Sequence, residues 1–379
     1  MAKKKSKRNE MASIFLKAVG NTEASQVSNG TIYDCKGFLN TGCLALNAQL
    51  SASIYGGLGS NRVTAIAGEE STGKTFMLLG FIKEFLESNG EDAMVAFFES
   101  EGAVNLETFE KRGINPEQIL LYPVESAQDF KKQVTKFLDK YEKLPKEDRI
   151  PMFMCLDSLG MLPSDKEVQD ALEDKDTVDM TRAKVIKSTF RIITIKTALL
   201  NIPFIFTNHI YSTLSQYSPA EMGGGSGLKY SASTIIYLTK AQYKEKNKKI
   251  SKGKEVTAED HAGILVTSNL QKSRETRQKT QIKFPITIEY GVSKYAGLFD
   301  LCYEVLGILF QTGKGRYGFK GDEKSFTKKQ IESELFFTKE REAILEAACN
   351  KYFAFGNADA ELAEELDDEQ DALSEALDD

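Results

Sequence analysis

Short apolar runs that alternate with helical patterns indicate an α/β protein. The runs are four to eight residues long, which is typical of strands in a parallel sheet covered on both faces. They occupy residues 63–67, 93–98, 152–158, 202–209 and 235–238. Apolar residues also recur at helical spacing from Phe76 to Leu86 until Gly90, and again over 126–141. We therefore expect a mostly parallel central sheet flanked by helices.

Outside these runs the pattern predicts more exposed structure. Residues 13–19 form a short amphipathic helix with nothing of their own to pack on, as in an arm that docks on a neighbour. Residues 163–179 and 211–227 are expected to be loops, the second one rich in glycine and disordered without a ligand. Residues 240–254 hold seven lysines and one glutamate. This stretch predicts an exposed turn between antiparallel strands, with phosphate contact as the alternative.

These patterns divide the 379-residue chain into four parts. Residues 1–30 are an N-terminal oligomerisation arm and linker, 31–290 the α/β core, and 291–357 a small helical C-terminal region. Residues 358–379 are an acidic tail expected to be disordered, with eleven acidic residues and no basic one. Since the whole chain has a formal net charge of −6, the rest is mildly basic at +5. An acidic tail on a basic body could compete with an anionic ligand for a basic groove.

Composition limits the compartment and the kinds of metal site. The five cysteines include no C-x-x-C pair and there are only two histidines, which argues against a zinc site and favours reduced thiols. No signal-peptide pattern and no apolar run of membrane length is present in this sequence. We expect a soluble protein in the cytoplasm.

One stretch has the pattern of a phosphate-binding loop. It reads Gly68, Glu69, Glu70, Ser71, Thr72, Gly73, Lys74, Thr75. The glycines allow successive N–H groups to turn toward a phosphate, Lys74 adds a charge on the β- and γ-phosphates, and the Thr75 hydroxyl can ligate Mg²⁺. A strand before the loop and a helix after it supply the required setting. The sequence therefore predicts an ATP and Mg²⁺ site.

Acidic residues follow two of the predicted strands. Asp157 ends the run at 152–158, and at that distance from the phosphate loop it is expected to hold the Mg²⁺ water shell. Glu101 lies just beyond 93–98, at the edge where open α/β sheets bind ligands. It is a candidate to polarise the water that attacks the γ-phosphate, and the alternative is a solvated loop acid.

Cations cluster on the helix predicted to start at Met180. Arg182, Lys184, Lys187 and Arg191 fit a solvated helix face and a nucleic-acid contact equally well. The basic residues within 1–10 predict a solvated, disordered start, with a nucleic-acid or partner contact as the alternative.

Taken in order, these motifs resemble the RecA recombinase family. The segments that carry the resemblance are the phosphate loop, 97–101, 155–158 and 223–233. Residues 179–192 and 222–225, together with the acidic C-terminus, look like the UvsX recombinases of tailed bacteriophages. The similarity runs from about residue 41 to residue 319. It implies a RecA-like P-loop ATPase core and a helical homo-oligomer on single-stranded DNA, with ATP between protomers and strand exchange with homologous double-stranded DNA.

The resemblance also implies roles for individual residues. Glu101 becomes the catalytic base, and His209, where RecA has Gln, the sensor at its strand end. Lys272 and Arg274, where RecA has Lys at both places, project onto the neighbour's γ-phosphate. Residues 163–179 and 210–227 become the DNA-binding loops, with Thr108 where the family usually stacks a Tyr on adenine. The DNA contacts would then include Tyr211, Gly223, Gly224, Gly225 and Lys229, and a recombination mediator and a single-strand-binding protein would be further partners.

Two rival functions use the same residues. A hexameric helicase, or another oligomeric ATPase, shares the core and would form closed rings that unwind a forked duplex. A single-strand-coating protein with a vestigial nucleotide site is the other alternative, and the intact set of Lys74, Thr75, Glu101 and Asp157 argues against it.

Overall fold

The computed structural model describes residues 7–21, 24–173, 181–211, 221–223, 226–251, 254–287 and 291–355. Most of its strands join one large sheet. In chain order the strands are β1 (Phe38–Leu39), β2 (Leu58–Gly59), β3 (Val63–Gly68), β4 (Met94–Glu99), β5 (Ile119–Pro123), β6 (Met152–Asp157), β7 (Phe204–Tyr211), β8 (Glu221–Met222), β9 (Thr234–Ser251), β10 (Lys254–Lys272), β11 (Gln281–Thr287), β12 (Gly291–Val292), β13 (Leu309–Gly313), β14 (Arg316–Phe319) and β15 (Ser325–Phe326).

Helices cover both faces of this sheet and build much of the C-terminal region. They are α1 (Lys7–Val19), α2 (Leu44–Ser51), α3 (Lys74–Asn89), α4 (Leu106–Glu110), α5 (Ala127–Glu142), α6 (Asp165–Leu172), α7 (Thr181–Leu200), α8 (Ser226–Ser231), α9 (Leu298–Asp300), α10 (Lys328–Ile331) and α11 (Lys339–Phe353). A π-helical turn, Leu301–Val305, continues α9. Within the described ranges, no helix has the length and apolar character needed to cross a membrane.

The large sheet confirms the predicted α/β architecture. Its order is β12-β11-β10-β9-β3-β7-β6-β4-β5, with β8 paired to the end of β7. The six strands from β9 to β5 are parallel, and β10, β11 and β12 add an antiparallel edge. Because β3 lies between β9 and β7, the loop that follows β3 is flanked by the carboxyl ends of both neighbours.

Alternate residues of each parallel strand enter two apolar layers. In β4, Phe97 packs into the layer that contains α2 and α3, and Phe98 packs into the layer that contains α5 and α7. Both rings are fully buried. Burial on both faces explains why these strands read as continuous apolar runs and not as alternating ones.

Two segments differ from the expected loops. Part of 163–179 is the helix α6, which starts at a capping box: the Ser164 hydroxyl accepts from the N–H of Glu167, whose side chain accepts from the N–H of Ser164. Gly227 and Lys229 lie in α8, so the glycine-rich segment is not a loop to its end.

The lysine-rich stretch 240–254 was expected to be a turn, and this prediction was wrong over most of its length. β9 runs on to Ser251 and β10 starts at Lys254, so the two strands continue as a paired ribbon. β3 pairs with β9 only through Leu238, and β11 pairs with β10 only from Gly263 onward. The backbone bonds between the two ribbon strands therefore hold it without a third strand.

The C-terminal region was expected to be helical, but it also contains a sheet. β13, β14 and β15 form a separate three-stranded antiparallel sheet beside α10 and α11. The buried guanidinium of Arg341 joins the parts, since it pairs with Asp322 at 2.6 Å, donates to the Phe336 carbonyl and lies 4.5 Å from the centre of the Phe326 ring.

Candidate nucleotide and DNA site

The phosphate loop joins the end of β3 to the start of α3. Gly73 has a φ of +87°, in the left-handed region, and a Cβ there would lie 2.8 Å from Ile286 Cδ1. A Cβ at Gly68 would lie 2.6 Å from Thr72 Oγ1, which donates to the Glu69 carbonyl. Both glycines are therefore required by the tight turn, and the N-terminus of α3 adds its dipole to the loop.

Lys74 is folded into this loop. Its ammonium group donates to the carbonyls of Gly68 at 3.0 Å and Glu69 at 2.8 Å, and only 8% of the residue is exposed. Burial lowers the pKa of Lys74, and the carboxylates of Glu101 and Asp157 oppose that shift. The ammonium is thus placed between the loop and the acidic side of the site.

Asp157 has the features of a magnesium ligand. The residue is 2% exposed, the Thr207 hydroxyl donates to its Oδ1, and its Oδ2 is buried without a hydrogen-bond partner in the described part of the chain. Burial raises the pKa of Asp157, while the hydroxyls of Thr207 and Thr75 lower it. A free, buried carboxylate oxygen near a Thr hydroxyl fits Mg²⁺, which takes one or two protein oxygens and keeps several waters.

Two glutamates follow β4, and their contacts separate their roles. The Glu99 carboxylate accepts from the N–H groups of Glu101, Gly102 and Ala103 at 2.9 to 3.0 Å, so it holds its own turn. The Glu101 carboxylate instead accepts from the Ser158 hydroxyl and lies 3.3 Å from His209 Nε2. Glu101 is therefore the carboxylate that faces the site, beside the ends of β6 and β7.

His209 connects this acidic group to the glycine-rich segment. It pairs with Gly68 in the β3–β7 register, which places it level with the start of the phosphate loop. Its carbonyl accepts from the Gly223 N–H at 3.3 Å, and the Asn208 side chain donates to the Gly223 carbonyl at 2.7 Å. A shift of His209 would therefore be felt directly at Gly223.

Lys272 and Arg274 lie at the other end of the sheet. Lys272 is opposite Ile235, which pairs with Ala65, three residues or about 10 Å along the strand from Gly68. Its ammonium group donates to the carbonyls of Lys229 and Ala232 at the end of α8. Burial is the main cause that lowers the pKa of Lys272, and the nearby exposed Arg274 adds to it. The Lys272 ammonium is therefore held away from the phosphate loop of its own protomer.

The four cations predicted on α7 fall into two groups. Arg182 is half-buried and donates to the carbonyls of Leu159, Gly160 and Leu162 at 2.6 to 3.1 Å, so its guanidinium is bound within the protein, and its predicted DNA contact stays a prediction. Lys184, Lys187 and Arg191 are exposed at helical spacing along one side. We call these three residues the α7 cation stripe. A Cβ at Gly227 would lie 2.9 Å from Lys187 Cγ, so the stripe passes the start of α8.

The remaining predicted DNA contacts are only partly described. Gly223 follows β8 and Lys229 is in α8, whereas Gly224, Gly225 and the side chain of Tyr211 lie outside the described residues. The acidic tail, 358–379, also lies outside them.

Sequence reasoning missed three residues that shape the site. Thr207 and Ser158 bind the two key carboxylates, and Lys240 donates to the Glu70 carbonyl of the phosphate loop at 2.7 Å. A polar residue inside a buried apolar strand was the signal for Thr207. The sequence held no comparable signal for Lys240, which lies in a run of lysines.

Comparisons with known proteins agree with this geometry. The sequence profile of the RecA N-terminal domain matches residues 13–262. The recombination and repair protein of Enterobacteria phage T4 is 30% identical over 308 residues, which cover 81% of this chain and 74% of that protein. Protein RecA of Syntrophus aciditrophicus (strain SB) is 25% identical over 284 residues, 74% of each chain. Protein RecA of Rhizobium leguminosarum bv. viciae is 27% identical over 277 residues, 73% of this chain and 71% of the relative.

Proposed function

The chain belongs to the RecA family of ATP-dependent recombinases, and from this premise we propose how its residues couple ATP hydrolysis to DNA strand exchange. RecA-family proteins are DNA-dependent ATPases that bind ATP, generally with Mg²⁺. The match to the phage recombination and repair protein favours a recombinase over a ring-shaped helicase.

In this proposal the phosphate loop and its acidic neighbours carry out hydrolysis. The main-chain N–H groups of residues 68–75 and the ammonium of Lys74 bind the β- and γ-phosphates. Thr75 and the free oxygen of Asp157 hold Mg²⁺, which would neutralise phosphate charge. Glu101 orients the attacking water and accepts its proton, for which its position at the rim of the site is suited.

The site would be completed by a second copy of the chain. Lys272 lies at the sheet end opposite its own phosphate loop, and Arg274 follows two residues later, so in this proposal both cations act on the nucleotide of a neighbouring protomer. A head-to-tail contact of this kind closes into a ring if its rotation closes, and otherwise repeats as a helical filament, which is the form that a recombinase would take. ATP would then lie at each interface and hold the protomers together.

DNA would be bound by the segment around Gly223 and by the α7 cation stripe. Three exposed cations at helical spacing can follow a phosphate backbone, and the segment around Gly223 would contact the same single strand. The stripe would contact phosphates and would read few base edges. The bases of the single strand would then stay free to pair with a homologous duplex, as strand exchange requires. A recombination mediator, a single-strand-binding protein and a cytoplasmic location complete the proposal.

The observation that carries the proposal is the continuous contact from Glu101 through His209 to Gly223. It joins the proposed catalytic base to the proposed DNA segment within one strand end. The test is ATP hydrolysis with and without single-stranded DNA, with the same samples imaged by negative-stain electron microscopy.

The proposal expects DNA-stimulated turnover together with helical filaments, and loss of turnover in Lys74→Ala. A Lys74→Ala protein that still hydrolyses ATP would contradict the site. Closed rings that unwind a forked duplex would instead favour the helicase function.

A further inference from the structure

Arg112 is a half-buried cation that the proposed mechanism leaves unused. Its guanidinium lies 3.8 Å from the centre of the Phe76 ring. Among the described residues its side chain has no ion pair and no hydrogen bond, and burial lowers its pKa. A guanidinium removed from water without an acceptor is unfavourable, so its position requires another explanation.

Phe76 holds the guanidinium next to the nucleotide site. It directly follows Thr75, the proposed magnesium ligand, in the first turn of α3. A Cβ at Gly291 would lie 2.6 Å from Phe76 Cζ, so the ring is seated against that glycine while Arg112 covers it. The pair therefore forms a flat, fixed surface at the exit of the phosphate loop.

A cavity of about 680 Å³ opens over this surface. Its walls include Thr41, Glu84 and Thr108 as well as Phe76 and Arg112. The volume falls within the range of sites for small ligands, and the cavity begins one residue beyond Thr75. A nucleotide whose phosphates lie on the loop has to extend its nucleoside past this residue.

We propose that the nucleobase stacks on the Arg112 guanidinium, which Phe76 supports from behind. This inference rests on the proposed ATP site. A planar guanidinium stacks on aromatic systems from both sides, and a base offers the same π-face as an aromatic side chain. Thr108 also lines the cavity, but its side chain has no ring on which a base could stack. The stacking surface is therefore the guanidinium of Arg112.

The proposal separates binding of the base from binding of the phosphates. Calorimetric titration of full-length protein with Mg-ADP and with Mg-pyrophosphate measures the two contributions. Arg112→Ala should weaken ADP binding about tenfold and leave pyrophosphate unchanged, because only ADP carries a base. Arg112→Lys keeps the charge without the plane and should behave like Arg112→Ala. Lys329→Ala, which removes an exposed cation of α10, is the matched control.

Two outcomes would overturn the stacking role. One is an Arg112→Ala protein that binds ADP normally or loses ADP and pyrophosphate equally; the other is full ADP affinity in Arg112→Lys. Arg112→Met, which still covers Phe76, replaces the alanine variant if that one fails to fold. Lys74→Ala should weaken both ligands, and its failure to do so would contradict the phosphate site itself, independently of Arg112.

Discussion

His209 Nε2 lies 3.3 Å from Glu101 Oε1, at the point where β7 ends and the segment toward Gly223 begins. The contact places an imidazole ring nitrogen within hydrogen-bond distance of the proposed base. About a quarter of each side chain is exposed, so both remain accessible from the nucleotide side. Glu101 thus contacts His209 of the proposed hydrolysis site and, through His209, Gly223 of the proposed DNA segment.

Glu101→Gln should abolish most ATP hydrolysis and preserve nucleotide binding. The amide keeps the shape but cannot accept a proton, so the turnover rate is expected to fall at least about 100-fold. Steady-state hydrolysis with saturating single-stranded DNA measures the rate, and calorimetry measures ADP affinity. Glu110→Gln, an exposed carboxylate at the end of α4, should keep the wild-type rate. A Glu101→Gln enzyme with near-normal turnover would show that this carboxylate is not the base.

Asp157→Asn should change how stability depends on pH and on magnesium. Burial raises the pKa of Asp157 above its ordinary 3.8, so the charged form is less favourable in the folded protein than in the unfolded chain. The contribution of Asp157 to the free energy of unfolding is fully present below its ordinary pKa. This contribution is lost as the pH rises through the raised pKa of the folded protein. Without metal, the variant should therefore unfold at a higher temperature than wild type near pH 7, and the difference should shrink toward pH 4.

Mg-ADP should reverse that order, because it binds the folded carboxylate. At 100 times its dissociation constant it would stabilise the wild type by about 2.7 kcal/mol and the variant by less. Thermal unfolding with and without Mg-ADP measures both effects. Equal stabilisation of the two proteins would exclude Asp157 as a magnesium ligand.

Lys272→Ala and Lys74→Ala should each inactivate the filament, and a mixture should recover activity. An interface between the intact phosphate loop of the first variant and the intact Lys272 of the second is complete. Random 1:1 assembly makes about a quarter of the interfaces complete, so about a quarter of wild-type turnover is expected. Lys320→Ala mixed with Lys74→Ala is the control for simple dilution. No recovery in the Lys272 mixture would remove the shared site.

Arg182 and the α7 cation stripe should respond differently to alanine substitution. Arg182→Ala removes three hydrogen bonds to main-chain carbonyls and should cost about 2 kcal/mol of unfolding free energy. Its DNA affinity should keep the wild-type salt dependence.

Replacing Lys184, Lys187 and Arg191 together should leave stability unchanged and reduce the salt slope of single-strand binding by about two. Fluorescence anisotropy across a salt series measures the slope. A lower slope for Arg182→Ala, or an unchanged slope for the triple variant, would contradict this division of roles.

The sheet was predictable because its strands are buried on both faces and therefore apolar throughout. The phosphate loop was predictable because its tight turn has no room for a Cβ at two positions, and the glycines at those positions are visible in the sequence. The ribbon of β9 and β10 was not, because main-chain pairing holds it and its lysines resemble those of an exposed turn. α6 was missed although Ser164 and Glu167 spell a capping box, since few apolar residues follow them.

A site residue could be located from the sequence only where its type and its place along a strand determine its position in the fold. Asp157 and Glu101 end apolar strands, and strand ends meet at one edge of a parallel sheet. Arg182 looked like its neighbours on α7, because no sequence pattern shows that three carbonyl groups surround its guanidinium. The pairing of Arg112 with Phe76 joins α3 to the turn that follows α4, and it depends on packing that the sequence does not display.

Lys272 lies at the end of the strands opposite Gly68, and this placement has a consequence for ATP consumption in the cell. In a lone copy the Lys272 ammonium is bound to the carbonyls of Lys229 and Ala232, away from that copy's own phosphate loop. If Lys272 acts on a neighbour's nucleotide as proposed, the hydrolysis rate per copy would rise with the number of assembled neighbours. Unassembled molecules would bind ATP without hydrolysing it, and hydrolysis would begin where copies assemble into a filament.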